Sequence, residues 1–300
     1  MRLSLPGSRR AAYLYLLAAA AFWSTSGAFL KSMPSVHWLV IAGARSLFAT
    51  LLFLPGLRQP RPPGRKLIAL ILLYSVLVSA LMGSMQLGTA AQGIWLQYVA
   101  PAVIALWVVV ARRERLRPTE SLAILLTLGA IVLFIRGGEG RAHVQSVILG
   151  VVSGVAGGCF LLVLKSVAEA PPPSIHLWTN LATALALLPV ARALGVGFPG
   201  AWRELLLLAG MGLGQLALPY YFFQRGLSRT RALEASLVVL VEPLLNPVWV
   251  YLIVGEVPGK RVMAACGLIA VGLVIFALGA GRRRADGQAS AARPGACGGG

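Results

Sequence analysis

Apolar positions along this chain gather into runs of about 20 residues, with polar positions confined to the short gaps between them. A bilayer core of roughly 30 Å takes about 20 helical residues to cross, so each run predicts one membrane helix. The pattern predicts ten, at about 12–31, 36–55, 67–86, 91–111, 119–136, 146–165, 175–194, 203–223, 232–254 and 260–281. No run carries a wide polar face, which excludes a soluble bundle, whose surface helices need one. The expected fold class is therefore an all-α integral membrane protein. The first run follows Arg2, Arg9 and Arg10 and passes Ala18, Ala19 and Ala20, as a secretory leader would. It continues through Phe22 and Trp23 to Leu30, long enough to span, and reads as a retained helix.

The runs repeat. Residues 97–114, QYVAPAVIALWVVVARRE, return 142 positions later at 239–256 as VLVEPLLNPVWVYLIVGE. Pro101 then meets Pro243, Trp107 meets Trp249, and Glu114 meets Glu256. Leu30-Lys31-Ser32 likewise matches Leu164-Lys165-Ser166, and Pro34-Ser35-Val36-His37 matches Pro173-Ser174-Ile175-His176. The order is the same in both halves. The chain thus divides into two five-helix units, 1–141 and 142–281, about a turn-rich loop at 137–145. A Gly/Ala/Arg-rich tail, 282–300, has too few large apolar side chains to order itself. Five is odd, so the second unit must be inverted relative to the first. Inverted repeats characterise secondary transporters, with the site near the midplane between the halves. Helix 6 carries Gly150, Gly154 and Gly158, a spacing that lets another helix approach closely.

Composition agrees with this pattern. Hydrophobic residues make up 58% and charged residues 12%, against about 25% charged in soluble domains. The net charge of +18 does not imply nucleic acid, because the basic residues sit at helix ends rather than in one patch. With the N-terminus inside, 19 Lys and Arg flank the inner helix ends and 7 the outer ones, while Arg45 lies within a helix. That bias predicts cytoplasmic termini in a plasma (inner) membrane, with membrane lipids as partners for the basic residues. Three cysteines and three histidines show no metal spacing, so no metal or other cofactor is expected.

Phe22-Trp23-Ser24 in helix 1, Arg45 in helix 2, the run Val241-Glu242-Pro243 and the endings Glu114 and Gly255-Glu256 carry a resemblance. Together they resemble the EamA-type permeases of the drug/metabolite transporter superfamily, over about 11–281. Two departures stand out: Ser24 where the family usually has glycine, and Arg113 where the second copy has Gly255. The resemblance implies a ten-helix secondary transporter rather than an enzyme. It implies a small-molecule substrate, often an amino acid or related solute, moved outward by alternating access. It also implies a cavity lined by helices 1, 3, 4, 6, 8 and 9. Multidrug efflux and metabolite uptake stay open. An enzyme acting on lipid would need an interfacial acid/base or metal cluster, which the sequence lacks, and nothing recommends a scaffold.

Glu242 is the sharpest candidate for chemistry, near the middle of helix 9. A charge there costs ~2.5–3.5 kcal/mol and calls for a partner or a task. Asn246 lies one turn on and Trp249 two turns on, on the same face. That face would offer a substrate ammonium or a proton its site; the plainer reading is a structural carboxyl beside the Pro243 break. Arg45 keeps its proton and must find a carboxylate, carbonyls or a wet cavity. It reads as a pin between helices or as the partner of a substrate carboxylate. Trp23, with Ser24 and Ser26, and Trp95, Gln97 and Tyr98 are candidates for the cavity wall. Tyr220 and Tyr221 fall near a predicted helix end and read more naturally as interface anchors. Glu234 is expected to pair with Arg231, and Glu256 with Lys260, while Lys31 and Lys165 read as snorkelling lysines.

Overall fold

The computed structural model describes residues 9–113, 118–167, 170–228, 230 and 238–291, and they form helices joined by short turns. Nine helices are long and apolar enough to cross a membrane among the described residues: α1 Arg10–Lys31, α2 Trp38–Arg58, α3 Gly64–Leu87, α4 Ala90–Ala111, α5 Pro118–Ile135, α6 Gly140–Lys165, α7 Pro172–Ala193, α8 Trp202–Leu227 and α10, which begins at Lys260. A further apolar helix, α9, spans Val241–Val254. The expected start of helix 9 and the Arg231–Glu234 pair fall on 231–237, outside the described residues, as does Glu114. Two boundaries differ from expectation. Helix α6 begins at Gly140, so the midpoint loop is shorter than its turn formers imply. Helix α10 runs to Ala291, past the expected end at Gly281.

The distribution of side chains inverts that of a soluble bundle. Leu14, Leu72, Leu125, Leu185 and Leu252 face outward, while Ser24, Arg45, Ser84, Gln92, Thr179, Asn180 and Asn246 are buried. Lipid accepts the leucines, and the interior must then satisfy every polar group that it contains. This is a multi-pass membrane protein.

Helix α3 packs against α6 and α8 against α1; α2 packs against α7, and α5 against α10. Helix α4 packs on α6, and α9 packs on α1. Glycines permit the closest of these contacts. A Cβ on Gly154 would lie 2.7 Å from the Leu96 carbonyl oxygen and 3.0 Å from Val99 Cβ, so the glycine row of α6 seats α4. Ser84 and Ser146 hydroxyls each donate to the other's carbonyl, 2.7 Å both ways, and tie α3 to α6.

α2 tightens into a 3-10 turn over Leu54–Arg58 at its end, and four other helices are irregular within the bundle among the described residues. α4 breaks at Tyr98–Val99 and resumes at Ala100, just before Pro101. α9 begins after a turn at Leu240, just before Pro243. Proline has no N–H for the carbonyl four residues earlier and its ring clashes there, so each repeat copy breaks at the same place. α1 is interrupted at Thr25, between Arg9–Ser24 and Ser26–Lys31. α8 widens into a π-helix over Met211–Ala217.

Candidate functional site

The four irregular helices converge with α2 and α3 on a cavity of about 190 Å³. Its wall is formed by Trp23 and Ser26 from α1, Arg45 from α2, and Tyr74, Leu77, Val78 and Leu81 from α3. Ile94 and Gln97 of α4, Gln215, Leu216 and Tyr220 of α8, and Glu242 complete it. Helix irregularities concentrate where carbonyls and side chains are wanted inside a membrane cavity rather than against lipid.

Arg45 is 3% exposed and brings a full charge into this interior. Its Nη1 donates to Gln215 Oε1 at a long 3.5 Å, and its Nε has no protein partner. Gln215 in turn donates through Nε2 to the Trp23 carbonyl, 3.1 Å, which fixes its amide with the oxygen toward Arg45. The π-turn makes this possible: Gly212 sits so near α2 that a Cβ there would lie 2.5 Å from the Arg45 carbonyl oxygen. A guanidinium has five N–H donors in a planar fork, and this one has donors to spare.

Glu242 supplies the opposite sign. Its Oε2 accepts from the Tyr98 hydroxyl at 3.2 Å, and Tyr98 reaches it from the break in α4. Among the described residues no ion pair joins Arg45 to Glu242, so the cavity wall presents a cation and a carboxyl group that are not in direct contact. In the described helix Glu242 lies in the first turn, so its expected mid-span place rests on the cavity that it shares with Arg45 and Trp23.

The other candidates divide. Trp23 lines the cavity edge-on to Tyr220, with ring centroids 5.3 Å apart, and Gln97 also lines it. Tyr98 is one step removed, as the donor to Glu242. Trp95 is 2% exposed and packs in the apolar core among Met85, Ile94 and Leu96. Asn246 is fully buried, and its Nδ2 donates to the Ser24 carbonyl at 2.9 Å and to Ser26 Oγ at 3.2 Å. With Trp249 Nε1 donating to Ser24 Oγ at 2.9 Å, it braces the interruption in α1.

Two polar wall residues, Tyr74 and Gln215, were not read from the sequence, and a third, Tyr220, was read more as an interface anchor than as cavity wall. Tyr220 is no interface anchor, because α8 continues to Leu227 and carries the tyrosine into the interior. Its ring lies 4.0 Å from the buried His176. Tyr74 donates to Asn180 Oδ1 at 3.0 Å, and Asn180 Nδ2 donates to the His176 carbonyl at 2.8 Å. Tyr74 and Gln215 each stand within an apolar run, and a polar group at such depth is itself a signal of an interior site. Among the described residues no three His, Cys, Asp or Glu side chains cluster as a metal site would.

A second opening, of about 370 Å³, lies between α4, α6 and α7, with Ile104, Leu161, Lys165, Pro172 and His176 in its wall. His176 thus separates this opening from the Tyr220 wall of the central cavity.

The profile of the EamA-like transporter family matches this chain twice, over residues 10–136 and 145–278. A relative in Archaeoglobus fulgidus, named an uncharacterized transporter, is 26% identical over 263 residues, covering 87% of this chain and 94% of its own. A solved crystal structure shares the fold with a TM-score of 0.63 at 20% identity, over 90% of this chain and 98% of that one.

Proposed function

Since the chain belongs to the EamA-like transporter family, we propose that it carries a small zwitterionic metabolite, an amino acid or close relative, outward across the plasma membrane by alternating access. The observation that carries this reading is the opposed pair in the cavity. Arg45 offers spare donors that fit a carboxylate, and Glu242 offers an acceptor that fits an ammonium. Trp23, Tyr74 and Tyr220 supply the apolar and aromatic wall that such a substrate's remaining surface needs. A volume of about 190 Å³ favours a small solute over a bulky drug.

Ten spans in two inverted repeats, both termini cytoplasmic, complete the reading. Its support is the exchange rule among contacts. Swapping helix n with helix n + 5 turns the α3–α6 pair into α8–α1 and the α4–α6 pair into α9–α1, while α2–α7 and α5–α10 map onto themselves. A two-fold axis between the halves gives that set. The double match of the family profile supports it also.

Glu242 is the carboxyl placed to couple transport to protons. Glu242→Gln keeps the size and the acceptor for Tyr98 but cannot titrate. In proteoliposomes the variant should lose flux driven by a pH gradient and keep substrate exchange, which needs no net proton movement. The measurement is flux per folded molecule of an amino-acid panel, with and without the gradient, beside wild type. Equal gradient-driven flux in both would end the proton role. No amino-acid flux in the wild type would end the substrate reading.

A further inference from the structure

At one end of the bundle α1, α3, α4 and α9 terminate together and are fastened by charge. Lys31 Nζ, at the end of α1, lies 2.8 Å from Glu256 Oε2, just past α9. The same ammonium donates to the Gly88 carbonyl at 2.7 Å, beyond the end of α3. The other carboxylate oxygen, Glu256 Oε1, accepts from the Ala90 N–H at 2.8 Å, at the start of α4. Neither lysine snorkelling nor pairing with Lys260 describes these two residues; they hold each other and two other helices. Both side chains are only 19% exposed. Beneath them the helices close without a gap: a Cβ on Gly27 would lie 2.8 Å from Ala90 Cβ and 2.9 Å from Val250 Cγ2.

We propose that Lys31 and Glu256 are the extracellular latch of the transport pathway, and that the short helix Ser26–Lys31 is the element it holds shut. This rests on the transport reading above and adds the gate to its site. The helix links the two places directly. Ser26 at its start lines the cavity, Lys31 at its end carries the latch, and the interruption at Thr25 separates it from the rest of α1. A solute in the cavity therefore meets the same short helix that the ion pair holds. The opposite end of the bundle differs. Lys165, the counterpart of Lys31 in the repeat, is exposed there and lines the 370 Å³ opening. Alternating access requires a seal at one end at a time, and at the other end His176 stands between the 370 Å³ opening and the cavity. The charge bias makes the sealed end the outer one. A partly exposed charged latch suits this task, since water compensates the two ions when they part, as it would not for a fully buried pair.

The test reads accessibility. With Cys159, Cys266 and Cys297 changed to alanine, Leu77→Cys puts one thiol on the cavity wall. An impermeant thiol reagent is applied from each side of membrane vesicles holding the full chain. External labelling should be slow in this parent and about tenfold faster after Glu256→Gln or Lys31→Gln, as expected when charge-assisted bonds are lost from one of two states. The double variant should gain less than the product of the two single effects, since each removes the same contact. External labelling unchanged in either single variant, or a double effect equal to that product, overturns the latch. A gain confined to the cytoplasmic side overturns its extracellular place. Labelling needs no flux, so a chain that moved no solute would sink the transport reading while leaving the latch result interpretable.

Discussion

Single residues show how closely the two halves correspond. Arg113 and Gly255 are repeat counterparts, and both end their helices in the left-handed region, at φ 53° and φ 72°. Glycine adopts that conformation freely, whereas a side chain there costs ~1–2 kcal/mol. Arg113→Gly should therefore stabilise the fold, by about 1 kcal/mol once glycine's greater freedom in the unfolded chain is deducted. Thermal denaturation in detergent would register it as a higher midpoint, and a lower midpoint would show that the arginine side chain holds something worth more than the strain. Asn246 carries a related lesson. Its spacing from Glu242 places both on one face, but its Nδ2 donates to Ser24 and Ser26 rather than into the cavity. A polar group in the membrane announces that it needs a partner; its neighbours in sequence do not say whether that partner is a solute or another helix.

Among elements, the contact between α6 and α4 is the one that the sequence reached most directly. Gly150, Gly154 and Gly158 form a smooth row, and the structure supplies the occupant, residues 96–103 of α4 around its proline break. The break explains the intimacy. Pro101 leaves the Gln97 carbonyl without its helical donor, and a Cβ on Gly154 would come within 3.2 Å of that oxygen. Gly154→Leu should force α6 away from backbone, which cannot swing aside as a side-chain tip can. The expected loss is about 3 kcal/mol, at the upper end of overpacking costs, seen as reduced folded yield and a lower melting midpoint. Gly214, by contrast, has open space where its Cβ would be, so Gly214→Ala is the control and should leave both nearly unchanged. Equal melting of wild type and Gly154→Leu would mean that α4 can be displaced without loss.

For the whole molecule the proposal to be tested first is orientation. A cysteine at Arg65 should react with an impermeant reagent only from the cytoplasmic side, and one at Glu139 only from outside. Both residues are exposed and lie at turns between spans, Arg65 at the start of α3 and Glu139 just before α6. Reaction of the two from opposite sides in the reversed sense would overturn the orientation. Reaction from the same side would overturn the five-span unit on which the inverted repeat rests, because three spans, α3 to α5, separate them.

The membrane character, the apolar runs, the repeat and the family lay in the order of residues alone. Their causes are one-dimensional: a bilayer sets the length of a run, a proline removes its own hydrogen bond wherever it stands, and a repeated segment keeps its spacing. Arg45 and Glu242 were legible for the same reason, as charges within apolar helices. Which polar groups face open space was decided only by tertiary structure. Trp95 turned into the core and Asn246 into a brace, whereas Tyr74, Gln215 and Tyr220 turned toward the cavity. That division depends on how each helix is rotated about its axis and on which neighbour reaches it. The pairing of Lys31 with Glu256, across 225 positions of chain, depends on it too. In lipid every polar side chain must turn inward, so inwardness carries no information about what it will meet there.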